Sequence, residues 1–331
     1  ARLIDETVHR DEYKQELAAK FEVEEYSDLT VVSLSDYSKA DMFFPVTADR
    51  IAVIYATGTI GGGEGNNEMV GSDKFARTIA KARKDEDVKA VVLRVNSPGG
   101  DALASDVIWR ELKLTQEEKP VIVSMGDLAA SGGYWISSAS DHIMADPTSL
   151  TGSIGVFGVV PDFGEFMENK LGITYDNTKT NENAGFPSVV RPLTSFERKV
   201  LENKVENVYA LFLERVSSNR KMSVEEVDRI GEGRIWSGTD ALELGLVDKL
   251  GGLYDAVDLA AEIAGVEEYR LLELPVLKDP IEQMIEELSS GVYTGMIRNE
   301  LGPFYHDYRH IRSVLQWEGV QARLPVQVHV E

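Results

Sequence analysis

From Arg50 onward, short unbroken apolar runs alternate with stretches whose apolar residues recur every three or four positions. Ile51-Ala52-Val53-Ile54-Tyr55, Ala90-Val91-Val92-Leu93-Arg94-Val95 and Val121-Ile122-Val123-Ser124 read as buried strands. The segments from about Ser72 to Arg83 and from Ala102 to Leu114 read as the helices between them. Strand and helix alternating at these lengths imply βαβ crossovers and a largely parallel sheet covered by helices, an α/β fold. Further along, His142-Ile143-Met144-Ala145 and Ser153-Ile154-Gly155-Val156 predict short strands, and Thr194 to about Ser217 a long amphipathic helix. Ser223 to Ala264 predicts shorter helices, broken at Gly231-Glu232-Gly233 and Gly251-Gly252.

The two ends of the chain read differently. Residues 1–40 mix charge with a helical apolar pattern, then a β-rich run, Leu29-Thr30-Val31-Val32. Leu3-Ile4-Asp5, followed by Leu17-Ala18-Ala19, echoes Leu246-Val247-Asp248 followed by Leu259-Ala260-Ala261. With one residue of gap the two align, so the start is expected to be the end of an earlier repeat, or a linker from it. Residues 41–275 form the expected main domain. After Pro275 comes a mixed, aromatic-containing tail, residues 276–331, expected to serve packing or assembly.

Bulk numbers narrow the possible functions. At 331 residues, with 43% hydrophobic and 27% charged, the chain has material for a full core. A formal net charge of −22 argues against nucleic acid as a partner, because neutralising phosphates takes clustered Lys and Arg. With no cysteine, disulfide frameworks, thiolate metal sites and Cys nucleophiles are excluded. No run approaches the ~18 apolar residues of a membrane span, so the chain as given is expected to be soluble.

Two segments place small residues where backbone must approach a ligand. Asn96-Ser97-Pro98-Gly99-Gly100 ends the second predicted strand, and Ala129-Ala130-Ser131-Gly132-Gly133-Tyr134 follows the third, each leading into a helix. Neighbouring strands present such turns side by side at their carboxyl ends, where open α/β sheets bind ligands. Glycine leaves backbone N–H groups free to face a carbonyl, and the helix starts add unpaired donors. Ser131 beside the N–H groups of Gly132 and Gly100 is the arrangement acyl transfer requires. Taken singly, the first segment reads equally as a tight turn, and Ser131 as a helix N-cap.

Asn96-Ser97-Pro98-Gly99-Gly100, Ser124-Met125-Gly126 with Ala129-Ala130-Ser131-Gly132-Gly133-Tyr134, and Thr151-Gly152-Ser153-Ile154-Gly155 closely resemble signature segments of the S49 family of serine peptidases, the signal peptide peptidases. The likeness covers roughly Arg50 to Leu274 and continues through Gly245-Leu246-Val247-Asp248. The resemblance implies a crotonase- and ClpP-like α/β domain of repeated ββα units with helical extensions. It implies Ser131 as nucleophile, Gly100 and Gly132 as oxyanion-hole donors, and Ser153 as the serine that orients a general-base lysine kept neutral by burial. Short members carry that lysine after a Gly-Ile-Thr-Tyr stretch, and the matching position here is Ala184. Longer members resemble a tandem duplication in which the lysine comes from the N-terminal repeat and the serine from the C-terminal one. The expected partners are therefore a lysine-bearing N-terminal repeat, hydrophobic peptide substrates such as remnant signal peptides, and further copies in an oligomeric ring. The expected setting is a membrane, with the active site outside the cytoplasm. No cofactor is expected.

Other chemistries fit less well. None of His9, His142, His306, His310 and His329 is placed for a Ser-His-Asp triad, and Ala129 stands where the Gly-x-Ser-x-Gly elbow needs its first glycine. Gly61-Gly62-Gly63-Glu64-Gly65 lacks the Gly-Lys-Ser/Thr of a phosphate loop and reads as a flexible loop from Gly58 to Gly65. No His/Asp/Glu cluster has metal-ligand spacing, so no metal is expected. Lys179, in the polar run Asn177-Thr178-Lys179-Thr180, is the local alternative for the base, although such a run reads as solvated surface. Two other classes remain open: a crotonase-type enzyme acting on acyl-CoA, and a catalytically silent scaffold.

Overall fold

The computed structural model describes residues 10–29, 31–32, 47–66, 69–275 and 321–323. They divide into two compact units, one ending at Val46 and one beginning at Thr47. The first holds helix α1 (Arg10–Lys20), on which Ala18 is buried. The Lys14 ammonium sits 5.0 Å from the Tyr26 ring centroid, within cation–π range. Leu29, Val31 and Val32 lie outside any strand, contrary to the β-rich reading, and both valines are exposed. A β-branched run becomes a strand only where another edge takes its ladder hydrogen bonds, and none does among the described residues of this unit. Leu3-Ile4-Asp5 lies outside the described residues, as do most of the 276–331 tail and all the histidines except His142.

In the second unit, apolar runs become the strands of a main sheet. In chain order the elements are β1 (Arg50–Thr57), β2 (Thr59–Gly61), β3 (Gly65–Asn66), β4 (Met69–Gly71), α2 (Ser72–Lys84), β5 (Val88–Ser97), β6 (Gly99–Asp101) and α3 (Ala102–Gln116). There follow β7 (Val121–Ala130), α4 (Gly132–Ser137), β8 (His142–Ala145), β9 (Leu150–Gly152), α5 (Gly164–Leu171), α6 (Ser195–Arg220) and α7 (Val224–Ile230). The last are β10 (Ile235–Ser237), α8 (Gly238–Glu243), β11 (Lys249–Leu250), α9 (Leu253–Ala264), β12 (Arg270–Leu274) and β13 (Gln321–Arg323).

The main sheet runs β10-β9-β7-β5-β1-β12, with β8 also on β7 and β11 on β8. Its pairings are parallel except β9 with β10. Because side chains alternate across a strand, the continuous apolar runs serve two layers. Ala52, Ile54, Leu93, Val95, Val123 and Met125 face one core with Phe75 and Ile79 of α2, Ile108 and Leu112 of α3, and Phe212 of α6. Ile51, Val53, Val92 and Ile122 face the other with Ala256, Val257 and Ala260 of α9. At ~1.5–3 kcal/mol for each fully buried large aliphatic, these interleaved faces make a one-residue slip prohibitive, since it would exchange both cores at once.

Three elements depart from the apolar pattern in ways that shape the site. The third strand continues six residues past Ser124 to Ala130, because β7 pairs with β8 through Ile122–Ser124 and then with β9 through Leu128–Ala130. The short strand expected at Ser153–Val156 lies instead at Leu150–Gly152, and it ends where Ser153 takes φ +48°, which breaks a ladder. The Gly58–Gly65 stretch, expected as a loop, forms β2 and β3; with β4, β6 and β13 they make a second sheet in the order β13-β6-β2-β4-β3.

Helix α6 is only half embedded. A capping box of Thr194 and Glu197 starts it, and Phe212, Leu213 and Val216 bury its C-terminal part. Phe196 and Val200 near its start are exposed, as are Val159, Phe163, Phe166, Leu171, Ile173 and Tyr175 on the segment before it, and α5 buries no residue.

Candidate active site

Ser131 stands at the junction of β7 and α4, and its backbone is held on both sides. Its N–H donates to Gly152 O at 2.8 Å, extending the β7–β9 pairing by one step, and its C=O accepts from Trp135 N at 2.8 Å. The resulting φ of +56° and ψ of −116° is a conformation that side chains other than glycine rarely adopt. Its hydroxyl does not cap α4; Oγ donates instead to Gly155 O at 3.4 Å. The serine is fully buried. The N-cap reading is thereby set aside.

The Asn96–Gly100 turn meets it from β5. Strand pairing carries Ser97 opposite Ala129, and Ser97 Oγ accepts from Gly99 N at 3.1 Å. Gly99 has φ +91°, and a Cβ there would stand 2.5 Å from Gly132 N and closer still to Ala322 O. A Cβ on Gly100 would collide with Ile60 O. One on Gly132 would stand 2.8 Å from Ala322 O and 3.1 Å from Gly100 N. The amides of Gly100 and Gly132 therefore lie in one small space that admits no side chain, beside the Ala322 carbonyl. Asp101 then fixes the exit into α3, accepting from Ala104 N at 2.7 Å.

Ser153 is buried too, and it shares the unusual backbone of Ser131 with φ +48°. Its N–H donates to Arg234 O at 2.7 Å, and Gly233 N donates to Ile154 O at 2.9 Å, which docks the Gly152–Gly155 segment on the Gly231–Arg234 turn. Tyr209 braces that turn: its hydroxyl donates to Asp228 Oδ1 at 2.7 Å and accepts from Glu232 N at 3.0 Å. Burial, reinforced by the Asp228 carboxylate, pushes the Tyr209 hydroxyl up to about 12. Ser153 Oγ makes no hydrogen bond among the described residues.

The Gly245–Asp248 stretch supports α4 from behind. Tyr134 donates to Leu246 O at 2.9 Å, and burial pushes its phenol far above the ordinary range. Asp248 accepts from Ile143 N at 2.7 Å and from Arg220 at 2.7 and 2.8 Å. Burial alone would raise the Asp248 carboxyl, but Arg220 and the Ile143 amide outweigh it and bring it below its usual value.

Among the described residues, His142 and Lys179 make no hydrogen bond to Ser131. His142 pairs with Ile122, nine residues upstream of Ser131 along β7, a separation on the order of 25 Å. Lys179 and Ala184 are exposed, and the Gly155 carbonyl is the hydrogen-bond partner of Ser131 Oγ among the described residues. No metal-ligating cluster exists among those residues. The sequence reading placed no strand in the tail, yet β13 sets Gln321–Arg323 beside β6, and Gln321 exchanges backbone hydrogen bonds with Phe157. No motif in Gln-Ala-Arg signals this, because the pairing is made by backbone.

Comparisons with known proteins identify the family of the chain. The model of peptidase family S49 matches residues 113–267. Protease 4 of Haemophilus influenzae is 45% identical over 216 residues, 65% of this chain and 35% of that protein. A putative protease of Synechocystis is 33% identical over 245 residues, 74% of this chain and 84% of that protein. The chain belongs to peptidase family S49. The chloroplastic serine protease SPPA of Arabidopsis thaliana is 33% identical over 336 residues, 98% of this chain and 48% of that protein. The chain thus spans about a third to a half of the longer S49 relatives and most of the shorter one. The S49 match includes Ser131 and Ser153, and Gly100 lies ahead of it. Among the described residues, no helix is long and apolar enough to cross a membrane.

Proposed function

We propose that this chain is the serine-bearing half of an S49 peptidase, with Ser131 as nucleophile and Gly100 and Gly132 as the oxyanion-hole donors. The observation that carries the reading is the conformation of Ser131, buried at φ +56° with its hydroxyl turned away from the helix it precedes. A strained, non-capping serine beside two convergent amides has a chemical use and little structural one.

The reaction is acyl transfer. A neutral lysine takes the proton of Ser131 Oγ as the oxygen attacks the peptide carbonyl, and the tetrahedral oxyanion accepts hydrogen bonds from the Gly100 and Gly132 amides. Collapse expels the amine, which takes the proton from the lysine, and water then hydrolyses the acyl-enzyme. Ser153 orients the lysine. The lysine comes from a preceding repeat, a reading supported by Ala184 at the family's lysine position and by the existence of relatives two to three times as long as the matched region. The substrates are hydrophobic peptides such as signal-peptide remnants, met at a membrane outside the cytoplasm. The exposed apolar side chains of residues 159–200 support assembly with further copies.

The test is turnover of a hydrophobic fluorogenic peptide by this chain, by its Ser131→Ala variant, and by a longer chain with the preceding repeat restored. Activity in the longer chain alone, abolished by Ser131→Ala, is the expected result. Activity of this chain alone would overturn the split dyad. Silence throughout would favour a scaffold, the reading that Ala184 at the family's lysine position also allows; acyl-CoA binding without peptide turnover would favour a crotonase-type enzyme.

A further inference from the structure

Ser131 and Ser153 reach the same helix by two short routes. The Ser131 carbonyl accepts from Trp135 N at 2.8 Å, and the Trp135 ring stacks on Phe212 of α6 with centroids 4.4 Å apart. The Ser153 N–H donates to Arg234 O at 2.7 Å, and the turn that carries this carbonyl rests on Tyr209. Tyr209 stands three residues before Phe212, so both lie on one face of α6. Two groups on the Gly152–Gly155 segment belong to the reaction proposed above: Ser153 itself, and Gly155 O, which accepts from Ser131 Oγ at 3.4 Å.

The Gly231–Arg234 turn needs support. Glu232 and Gly233 both take left-handed backbone, at φ +55° and +79°, and for glutamate that conformation is strained. Arg234 closes the turn from within, its N–H donating to Gly231 O at 3.1 Å and its guanidinium to Arg229 O at 2.8 Å. From outside, Trp236 Nε1 donates to Ile230 O, just ahead of the turn, at 3.0 Å. The Tyr209 hydroxyl meets the turn itself, accepting from Glu232 N at 3.0 Å while it donates to Asp228 Oδ1 at 2.7 Å. The fit leaves little slack. A Cβ on Gly231 would stand 2.8 Å from that hydroxyl, and one on Gly155 would stand 2.7 Å from Gly233 N.

We infer that Tyr209 is a positioning residue for the proposed acyl transfer: its hydroxyl, held by Asp228, fixes the Gly231–Arg234 turn and, through it, the placement of Ser153 relative to Ser131. The inference rests on the roles given above to those two serines. A lysine arriving from a preceding repeat meets its orienting serine on a segment that this turn docks, so the alignment of the dyad depends on the dock. A displacement of about 1 Å in such an arrangement costs up to about 10²-fold in rate. The Tyr209 hydroxyl bonds to neither serine, so its loss acts on kcat and leaves KM in place. A role confined to tying α6 to α7 would instead lower Tm and leave the turnover of the folded protein intact.

The experiment compares the wild type, Tyr209→Phe, Asp228→Asn and Asp228→Ala in the chain with the preceding repeat restored, on the hydrophobic fluorogenic peptide, at a temperature where each is fully folded. Tyr209→Phe is expected to lower kcat about tenfold or more, with KM within about twofold of the wild type. Asp228→Asn keeps an oxygen to accept from the hydroxyl and is expected to stay within about threefold of wild-type kcat, whereas Asp228→Ala follows Tyr209→Phe. In the present chain, Tyr209→Phe is also expected to speed amide exchange at Ser153, Glu232 and Gly233. Unchanged kcat in Tyr209→Phe, a loss carried wholly by KM, Asp228→Asn as damaging as Asp228→Ala, or unchanged exchange at Ser153 would each overturn the inference. Should Tyr209→Phe fail to fold, the comparison of Asp228→Ala with Asp228→Asn decides. A silent wild type would overturn the peptidase reading and this inference with it, while a working wild type matched by Tyr209→Phe would overturn this inference alone.

Discussion

Ser131 and Gly152 are joined by a backbone hydrogen bond of 2.8 Å, from the serine N–H to the glycine carbonyl. It is the last rung of the β7–β9 pairing, and it falls where both chains leave the strand geometry: Gly152 at φ +76°, Ser131 at +56° and Ser153 at +48°. The two serines are thus set by one ladder. Whatever moves β9 moves Ser131, and the Gly231–Arg234 turn that holds Ser153 acts on the same point.

The left-handed backbone of Ser131 has a measurable cost. Ser131→Ala and Ser131→Gly both remove the hydroxyl, and both are expected to lower turnover by roughly 10³-fold or more in the repeat-restored chain. Glycine tolerates positive φ and alanine does not, so the glycine variant is expected to be the more stable by about 1 kcal/mol, a few degrees in Tm. Thermal unfolding of the pair checks this. Equal stabilities would mean that no strain is stored at this serine.

Gly152→Ala tests the coupling. Besides its positive φ, a Cβ there would stand 2.7 Å from Trp236 Cδ1 and 3.1 Å from Arg234 O. A loss of about 1–2 kcal/mol of stability is expected from the backbone alone. Because the strain falls on the rung that holds Ser131, turnover is expected to drop about 10- to 100-fold at temperatures where the variant is fully folded. Destabilisation with turnover intact would show that Ser131 is positioned without help from β9.

Much of this arrangement could be read from residue order. Runs such as Ala90–Leu93 are apolar on every residue because both faces of β5 are covered, and that is why they announce a buried parallel strand. The close approach of backbone at Gly99, Gly100 and Gly132 was legible because it demands glycine at those positions. What was hidden depended on backbone partners. The β2, β3 and β4 strands lie in a glycine-rich stretch with no apolar period, and β9 falls on Leu150–Gly152, ahead of the more apolar Ser153–Val156, because Ser153 turns out of the ladder. β13 pairs through main-chain atoms that every sequence possesses.

Arg220 is expected to be the most sensitive polar position behind the site. Its side chain is 7% exposed and spans Gly245 O, at 3.0 and 2.9 Å, and both oxygens of Asp248. Arg220→Ala would leave the carbonyl and a carboxylate without their cation, against a helix whose Tyr134 leans on Leu246 O. Breaking a buried pair costs ~3–5 kcal/mol, and partial solvation of Asp248 lowers the expectation here to about 2–3 kcal/mol. Lysine offers one point charge in place of a fork, so Arg220→Lys should recover only part of that loss. A variant with unchanged Tm would show that the cluster adds nothing to the fold.

Acid is expected to weaken the start of α6. Glu197 accepts from Arg191 at 2.6 and 2.8 Å and from Thr194 N at 2.8 Å, and these contacts hold its carboxyl down at about 2. A carboxyl whose folded value lies below the unfolded one, ~4.3, contributes stability that is complete above the unfolded value and disappears as pH falls through the folded one. The wild type should therefore exceed Glu197→Gln in Tm at neutral pH, and the gap should close between about pH 5 and pH 2. Taking the difference between the two proteins removes the acid response of the other carboxylates, which they share. Tm curves that stay parallel down to about pH 2 would show that the Arg191–Glu197 contact does not hold the helix start.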